Sequence, residues 1–223
     1  CMAVIDHLVY AVPDLEQGIA DITGRLGVEA AYGGAHPGRG THNALLALGD
    51  SYLEIIGPDP RQPDVPDGRP FGVTTEMQPR LVTYAVRPSV GETIEQLADA
   101  MRDAGHEPGS VVAMSRATPD GPELHWHLTF PTLAAGGAIP FLIDWGATPN
   151  PSTTAPPAGE LTALDAVVDS PDLASAVAAA LTLDQFSVRS GPASGRQRTE
   201  SGGDPVGAVL RATIQYHGEH VLQ

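Results

Sequence analysis

The sequence predicts an α+β chain built from β-α-β-β-β units, two of them complete and a third shortened to β-α-β-β. Three observations predict it. A β-like apolar run that ends near a proline occurs three times, at Ile5 to Val12, Arg80 to Val86 and Leu161 to Val168. Each run is followed by an apolar stripe at helical spacing. After each stripe come further short β-like runs.

The elements follow in chain order. In the first unit Leu15, Ile19, Ile22 and Leu26 stand at i, i+4, i+7 and i+11, one helical face. Asp14 is placed to cap that helix, with Gln17 three residues on. Strands are expected at Glu29 to Tyr32, Asn43 to Leu48 and Tyr52 to Ile56. In the second unit Ser89 and Glu92 read as a capping box, Ile94, Leu97 and Met101 form the stripe, and Gly105 ends it. Its strands are expected at Ser110 to Met114, Leu124 to Phe130 and Pro140 to Trp145. In the third unit Leu173, Val177 and Leu181 make the stripe after an Asp172 or Ser170 cap. Strands near Phe186 to Arg189 and Val206 to Tyr216 flank a polar loop, Ser190 to Asp204.

Pro-rich stretches divide these units. Residues 2–57 read as the first module, 58–79 as a linker and 80–146 as the second module. Residues 147–160 read as a second linker and 161–223 as the partial third unit packed on the same domain. Both linkers read as extended connectors.

Composition excludes several function classes. The formal net charge is −15 and every base is one of 12 arginines. Such a surface repels phosphate backbones, so neither nucleic acid nor an anionic membrane is an expected partner. No apolar run approaches a membrane span, and no leader-like segment is evident, so a cytoplasmic protein is expected. The arginine-only usage with 25 glycines and 21 prolines suggests a GC-rich bacterial genome. Cys1 is the sole cysteine, which leaves no disulfide framework or thiolate metal site. Met2 has the look of a natural start, so Cys1 is set aside. There is no Gly-x-Ser-x-Gly elbow, P-loop, His-Glu-x-x-His or dinucleotide fingerprint.

The paired units, opening with Ile5-Asp6-His7-Leu8-Val9, resemble the vicinal oxygen chelate (VOC) superfamily of glyoxalases, extradiol dioxygenases and bleomycin-resistance proteins. Three segments resemble, more narrowly, the glyoxalase-like domain family: Gly33-Gly34-Ala35-His36-Pro37 with Gly40-Thr41-His42-Asn43, Tyr52-Leu53-Glu54-Ile55-Ile56-Gly57, and Pro140-Phe141-Leu142-Ile143-Asp144-Trp145-Gly146. The resemblance spans roughly residues 3 to 215. It implies a curved, cupped mixed sheet with helices outside. It also implies a small-molecule cavity, with metal ligands from the first and last strands of each module.

His7 and Glu54 are the implied metal pair, since the first and fourth strands of such a module are neighbours. An imidazole and a carboxylate in apolar strands need partners, and together they suit Zn, Ni, Fe or Mn. A buried His–Glu hydrogen bond without metal is the bland reading. The second module departs from the pattern: laying Ala85-Val86 on Ala11-Val12 puts Leu81 at the His7 position, and laying Gly146 on Gly57 puts Ile143 at the Glu54 position. Half the ligand set is therefore apolar.

Alternation in Leu124 to Phe130 puts His125, His127 and Thr129 on one face. His125 and His127, with Glu54, are the candidate catalytic groups. His42, Arg39, Trp126 and Tyr52 are the candidate substrate contacts. Arg39 offers a fork for a substrate carboxylate, while the surrounding glycines also read as plain turn residues. Asp144 is out of phase and expected to face away.

The leading expectation is a metal-dependent lyase, isomerase or dioxygenase of glyoxalase-like type acting on a small oxygen-bearing organic molecule. The alternative is a metal-free drug- or metabolite-binding protein of the same fold. A third reading makes the half-degenerate modules a homodimerisation scaffold.

Overall fold

The three proline-terminated runs become the strands around which two sheets are organised. The computed structural model describes residues 2–65, 68–117, 123–130, 132–192 and 208–223. The first unit is β1 (Ala3–Ala11), α1 (Leu15–Leu26), β2 (Ala31–His36), β3 (Thr41–Leu48) and β4 (Ser51–Pro58). The second is β5 (Arg80–Pro88), α2 (Ile94–Asp103), β6 (Val111–Ala117), β7 (Glu123–Thr129) and β8 (Phe141–Asp144). Then follow β9 (Glu160–Val168), α3 (Asp172–Ala180), β10 (Phe186–Ser190), β11 (Ala208–Gln215) and β12 (Glu219–Leu222).

The first two units form one curled, mixed eight-stranded sheet of order β2-β3-β4-β1-β5-β8-β7-β6. In each unit the first strand pairs in parallel with the last, β1 with β4 and β5 with β8. Antiparallel β1 and β5 join the units across a pseudo-twofold axis. The edges β2 and β6 curl toward one another, which closes the sheet into a half-barrel.

The third unit makes a separate sheet of order β10-β9-β11-β12. Its elements come in the expected order, with β12 added. Its wiring differs from the modules, because β9 takes as its parallel partner the strand just after its helix. The part of the polar loop beyond Pro192, and the start of the expected strand at Val206, lie outside the described residues.

Apolar residues sort by face. Leu8, Tyr10, Leu53, Ile55, Tyr84 and Leu142 join the inner faces of α1 and α2, and Leu164, Phe186 and Ile214 of the second sheet, in one core on the convex side. The Tyr84 and Phe186 rings lie 4.9 Å apart. Burial pushes the Tyr84 hydroxyl well above its ordinary range. A second cluster, including Val9, Ala11, Tyr52, Ile56, Trp126, Phe141, Ile143 and Trp145, lines the concave side.

Local signals account for the helices, with corrections at α2 and at α3, where Pro171 precedes the helix and neither Asp172 nor Ser170 caps it. Asp14 accepts from the Gln17 amide as expected, and α1 stops at Gly27 in the left-handed region. Helix α2 is capped by a Thr93–Gln96 box rather than Ser89–Glu92. Gly91, at φ 91°, sits inside a turn there, so the helix starts one turn later. In α3 the buried face is Ala174 and Val177, followed by Leu181, while Leu173 is exposed.

The two Pro-rich linkers are more than connectors. Residues 156–158 bond the outer rim of β3, with the Ala47 amide donating to Pro156 O and the Ala158 amide to Ala47 O, each at 2.8 Å. In the first linker Pro70 and Phe71 reach the cup. The same linker holds the buried Asp59, which accepts from the Arg61 backbone amide, the Arg61 guanidinium and Gln62. The Asp59 amide also donates to Gly40 O.

Burial alone would raise the Asp59 pKa, but the bonds from Gln62 and Arg61 and the charge of Arg61 outweigh it and hold it below the ordinary carboxylate range. The stabilisation is therefore present above the unfolded value, about 3.9, and is lost as pH falls through the lower folded value. Urea unfolding of the wild type is expected to lose midpoint between about pH 5 and pH 3, and Asp59→Asn to flatten that part of the profile. An unchanged slope in the variant would remove Asp59 as the cause.

Candidate active site

Strand alternation delivers the site from three adjacent strands. Along β4, Tyr52, Glu54 and Ile56 point into the cup. Their neighbours on β3, Asn43 and Leu45, share that face. On β1, His7 lies in register with Tyr52 and stacks on it, with ring centroids 4.6 Å apart at 18°. The expected approach of His7 and Glu54 is realised: His7 Nε2 stands 3.8 Å from Glu54 Oε2, with both residues buried.

Two bulges complete the polar floor. In the β1–β5 ladder Ile5 and His7 oppose consecutive residues, which leaves Asp6 as the extra residue. Asp6 is fully buried and accepts from His7 Nδ1 at 2.7 Å, Asn150 Nδ2 at 2.7 Å, Trp145 Nε1 at 3.2 Å and Arg87 at 3.2 Å. In the β2–β3 ladder the extra residue is Gly33, followed by Gly34 at φ 132°, a conformation that favours glycine. The bulge changes parity. Strict alternation puts residues 32 and 36 on one face; here Tyr32 lies outside against His42, with ring centroids 6.0 Å apart, and His36 turns into the cup. Asp6 is absent from the expected site, and His36 is expected only in a rim loop with Arg39 and not on a strand of the floor, because bulge positions carry no periodic signature. A Gly-Gly pair in a strand is the one signal that hints at such a bulge.

These groups form a directional network. Asp6 as a carboxylate only accepts, so a neutral His7 carries its proton on Nδ1 and turns the Nε2 lone pair to the cup. Asn43 Nδ2 donates to Glu54 Oε1 at 2.6 Å and faces His36 Nε2 at 3.3 Å. His36 Nδ1 in turn reaches Thr41 Oγ1 at 2.9 Å. Two acceptor pairs thus flank Glu54 at the same separation, His36 Nε2–Oε1 and His7 Nε2–Oε2, each 3.8 Å. The first pair is bridged by the Asn43 amide. No protein donor bridges the second among the described residues, and 3.8 Å is too long for a direct hydrogen bond. Asn43 Oδ1 is buried without a protein partner.

The whole cavity is about 170 Å³, and beyond the polar floor its lining is largely apolar. Tyr52, Phe71, Trp126, Phe130, Phe141 and Trp145 line it. The Trp126 and Trp145 rings lie 5.4 Å apart, and those of Phe71 and Phe141 5.9 Å apart. Arg39 stands at the mouth with its guanidinium 4.7 Å above the Phe130 ring.

The other expected site residues lie elsewhere. Alternation in β7 is as read, but the cup takes the opposite face: Trp126, Leu128 and Phe130 line the cavity, while His125 and His127 project outward and are exposed. The reason is that the cup is the apolar side and the outer face of β7 is wet. His125 Nε2 lies 3.7 Å from Glu123. His42 also lies on the outer face, and partial burial is the main cause that lowers its pKa. Ile143 lines the cup as the second-module counterpart of Glu54. Leu81 belongs to the convex core, and Ala85, opposite Phe141 as His7 is opposite Tyr52, takes the His7-like place. Asp144 turns out of the cup and accepts from the Gly146 amide.

The model of the glyoxalase-like domain matches residues 5–182. The chain belongs to the glyoxalase-like domain family. A hypothetical protein from Staphylococcus aureus has a similar structure, with TM-score 0.57, 14% identity, and 85% of this chain and 87% of that one covered. Methylmalonyl-CoA epimerase from Mycobacterium tuberculosis aligns with TM-score 0.39 and 19% identity over 62% of this chain and 84% of that one. A methylmalonyl-CoA epimerase in complex with methylmalonyl-CoA and NH4+ aligns at 0.43 and 18%, over 68% of this chain and all of that one. No curated protein matches. In this glyoxalase-like chain, none of the helices among the described residues is long and apolar enough to cross a membrane.

The residues can be tested against the metal that the superfamily resemblance implies. Two ligands each about 2.1 Å from a tetrahedral ion stand about 3.4 Å apart, and about 4.2 Å is the limit for ligands on opposite sides of it. His7 Nε2 and Glu54 Oε2, at 3.8 Å, fall within that limit and have suitable donor chemistry. Among the described residues no group of three or more His, Cys, Asp or Glu side chains is arranged to hold an ion. The fit is that of a two-residue site, with all of its protein ligands in the first module.

Proposed function

We propose that this glyoxalase-like protein is an enzyme that moves a proton on a small oxygen-bearing organic molecule held in the cup. The observation that carries this reading is the unbridged pair His7 Nε2–Glu54 Oε2. Two acceptors 3.8 Å apart, fixed from behind by Asp6 and Asn43, suit a group placed between them that supplies hydrogen. The substrate's acidic C–H or O–H is such a group. Glu54 takes the proton from carbon. His7, its tautomer held by Asp6, takes the neighbouring hydroxyl's proton and hands it to the carbonyl oxygen as that oxygen becomes an enol, and Glu54 returns its proton to the adjacent carbon, so that no net charge is left on the substrate. The Asn43 amide steadies the carboxylate, and the aromatic walls exclude water and raise the strength of each polar contact. A divalent ion, when bound, would be held by His7 and Glu54 and would polarise the substrate oxygen.

The second reading is the metal-free binding protein. The apolar second-module positions, Ala85 and Ile143, favour it, because they add grip without chemistry.

The test is proton exchange in deuterium oxide, followed by NMR on a panel of small ketones, 2-oxo acids and 2-hydroxy carbonyl compounds, beside elemental analysis of the protein and of a His7→Ala, Glu54→Ala double variant. The expected result is saturable loss of the carbon-bound proton signal with at least one class, absent in the double variant. Metal found in the wild type and lost in the variant would assign the ion to this pair. Saturable binding with no exchange across the panel would overturn the enzyme reading in favour of the binding protein.

A further inference from the structure

The arginines around the cup have different fates. Arg87 is committed to Asp6 at 3.2 Å, Arg61 to Asp59 at 3.3 Å, and Arg69 Nε to Gly40 O at 2.8 Å. Arg39 alone among them lines the cavity. Among the described residues no carboxylate pairs with it, although the chain carries 27 Asp and Glu against 12 bases. Its backbone is nonetheless fixed. It lies in the β2–β3 turn between Gly38 and Gly40, both at positive φ, and its amide donates to His36 O at 3.0 Å. The linker backs that turn, with Gln62 Oε1 accepting from the Gly38 amide and Arg69 and Asp59 holding Gly40 O. The guanidinium carbon lies 4.7 Å over the Phe130 ring centroid, a cation–π contact that uses none of its N–H donors as hydrogen bonds.

We infer that Arg39 is the specificity residue for an anionic substrate: the cup takes a carboxylic acid with a flat apolar body, its carboxylate on Arg39 at the mouth and its oxygen-bearing carbon between His7 and Glu54. This rests on the proton-transfer reading of the same cavity. In a chain of net charge −15, a guanidinium with no carboxylate partner among the described residues, at the mouth of an apolar cavity, favours an anion there that the rest of the surface rejects.

The test uses two probes of one shape, phenylpyruvate and its neutral counterpart phenylacetone, in which a methyl replaces the carboxylate. Binding is followed by calorimetry with the full chain, wild type, Arg39→Gln and Arg39→Lys. Arg39 is half-exposed on a turn, so both variants are expected to melt with the wild type. The expected result is that the acid binds the wild type roughly tenfold or more tighter than the ketone, as a charge-assisted fork contact gives. In Arg39→Gln that preference falls to within about twofold, and Arg39→Lys lies between. Raising the salt concentration weakens the acid and leaves the ketone unchanged.

Equal binding of the two probes, no binding of either, or an acid preference that survives Arg39→Gln would overturn the assignment. Proton exchange separates the two ideas. If the ketone binds and exchanges while the acid gains nothing from Arg39, the carboxylate assignment alone fails. If the acid binds through Arg39 and neither probe exchanges, the proton-transfer reading alone fails.

Discussion

Glu54→Gln is expected to lower proton exchange by about 10²–10⁴-fold, the usual contribution of a positioned base. The substitution keeps the shape of the side chain and an oxygen to accept from Asn43, so binding is expected to change little. The melting temperature is expected to hold or rise, because a buried carboxylate is removed while its hydrogen bond is kept. The measurement is the exchange rate at saturating substrate beside the thermal midpoint. Exchange within a few-fold of the wild type would remove Glu54 as the base. A fall in melting temperature together with activity would instead make it a structural residue.

Asp6→Ala is expected to cost about 3–5 kcal/mol of folding stability, the range for breaking a buried, paired charge. Asp6 is fully buried and collects hydrogen bonds from β1, β5, the end of β8 and the second linker. Deleting it leaves Arg87, Asn150 and the Trp145 indole without their shared acceptor and frees the ring of His7. Asp6→Asn keeps the volume and loses the charge. It is expected to destabilise less but to lower activity by about 10–100-fold, the effect of losing the carboxylate behind a functional imidazole. Urea unfolding at matched pH reads the first effect and kinetics the second. If Asp6→Ala unfolds within about 1 kcal/mol of the wild type, Asp6 is not the anchor described here.

The repeat was legible because its signals are local. An apolar stripe such as Leu15, Ile19, Ile22 and Leu26 has few readings other than one helix face. The meeting of His7 with Glu54 followed from the resemblance, which makes the first and fourth strands neighbours. What escaped depended on parity and on distance. His125 and His127 were correctly placed together, but alternation sorts residues into two faces without saying which is concave. His36 and Asp6 sit at bulges, where one extra residue reverses or suspends the alternation. Asn150 lies in a Pro-rich stretch that read as a spacer, yet it meets Asp6 across 144 residues of chain, and no local pattern encodes that contact. Asn43 was seen only as the start of a strand, since an amide between two acceptors is recognised only once both acceptors are placed.

The pseudo-twofold sheet carries its chemistry on one side only. The first module supplies His7, His36, Asn43 and Glu54, and the second supplies Trp126, Phe130, Phe141 and Ile143. The histidines, the arginine and the carboxylate that line the cavity, His7, His36, Arg39 and Glu54, all come from the first module, and the second adds only uncharged walls. Substitutions on β7 and β8 can reshape what the protein accepts while the proton-handling groups stay in place across the β1–β5 seam. On the proton-transfer proposal, the part of the substrate range set by the apolar body is free to drift through the second half, while the contact with Arg39 stays with the first. Laboratory selection for a new substrate should accordingly gather its changes there.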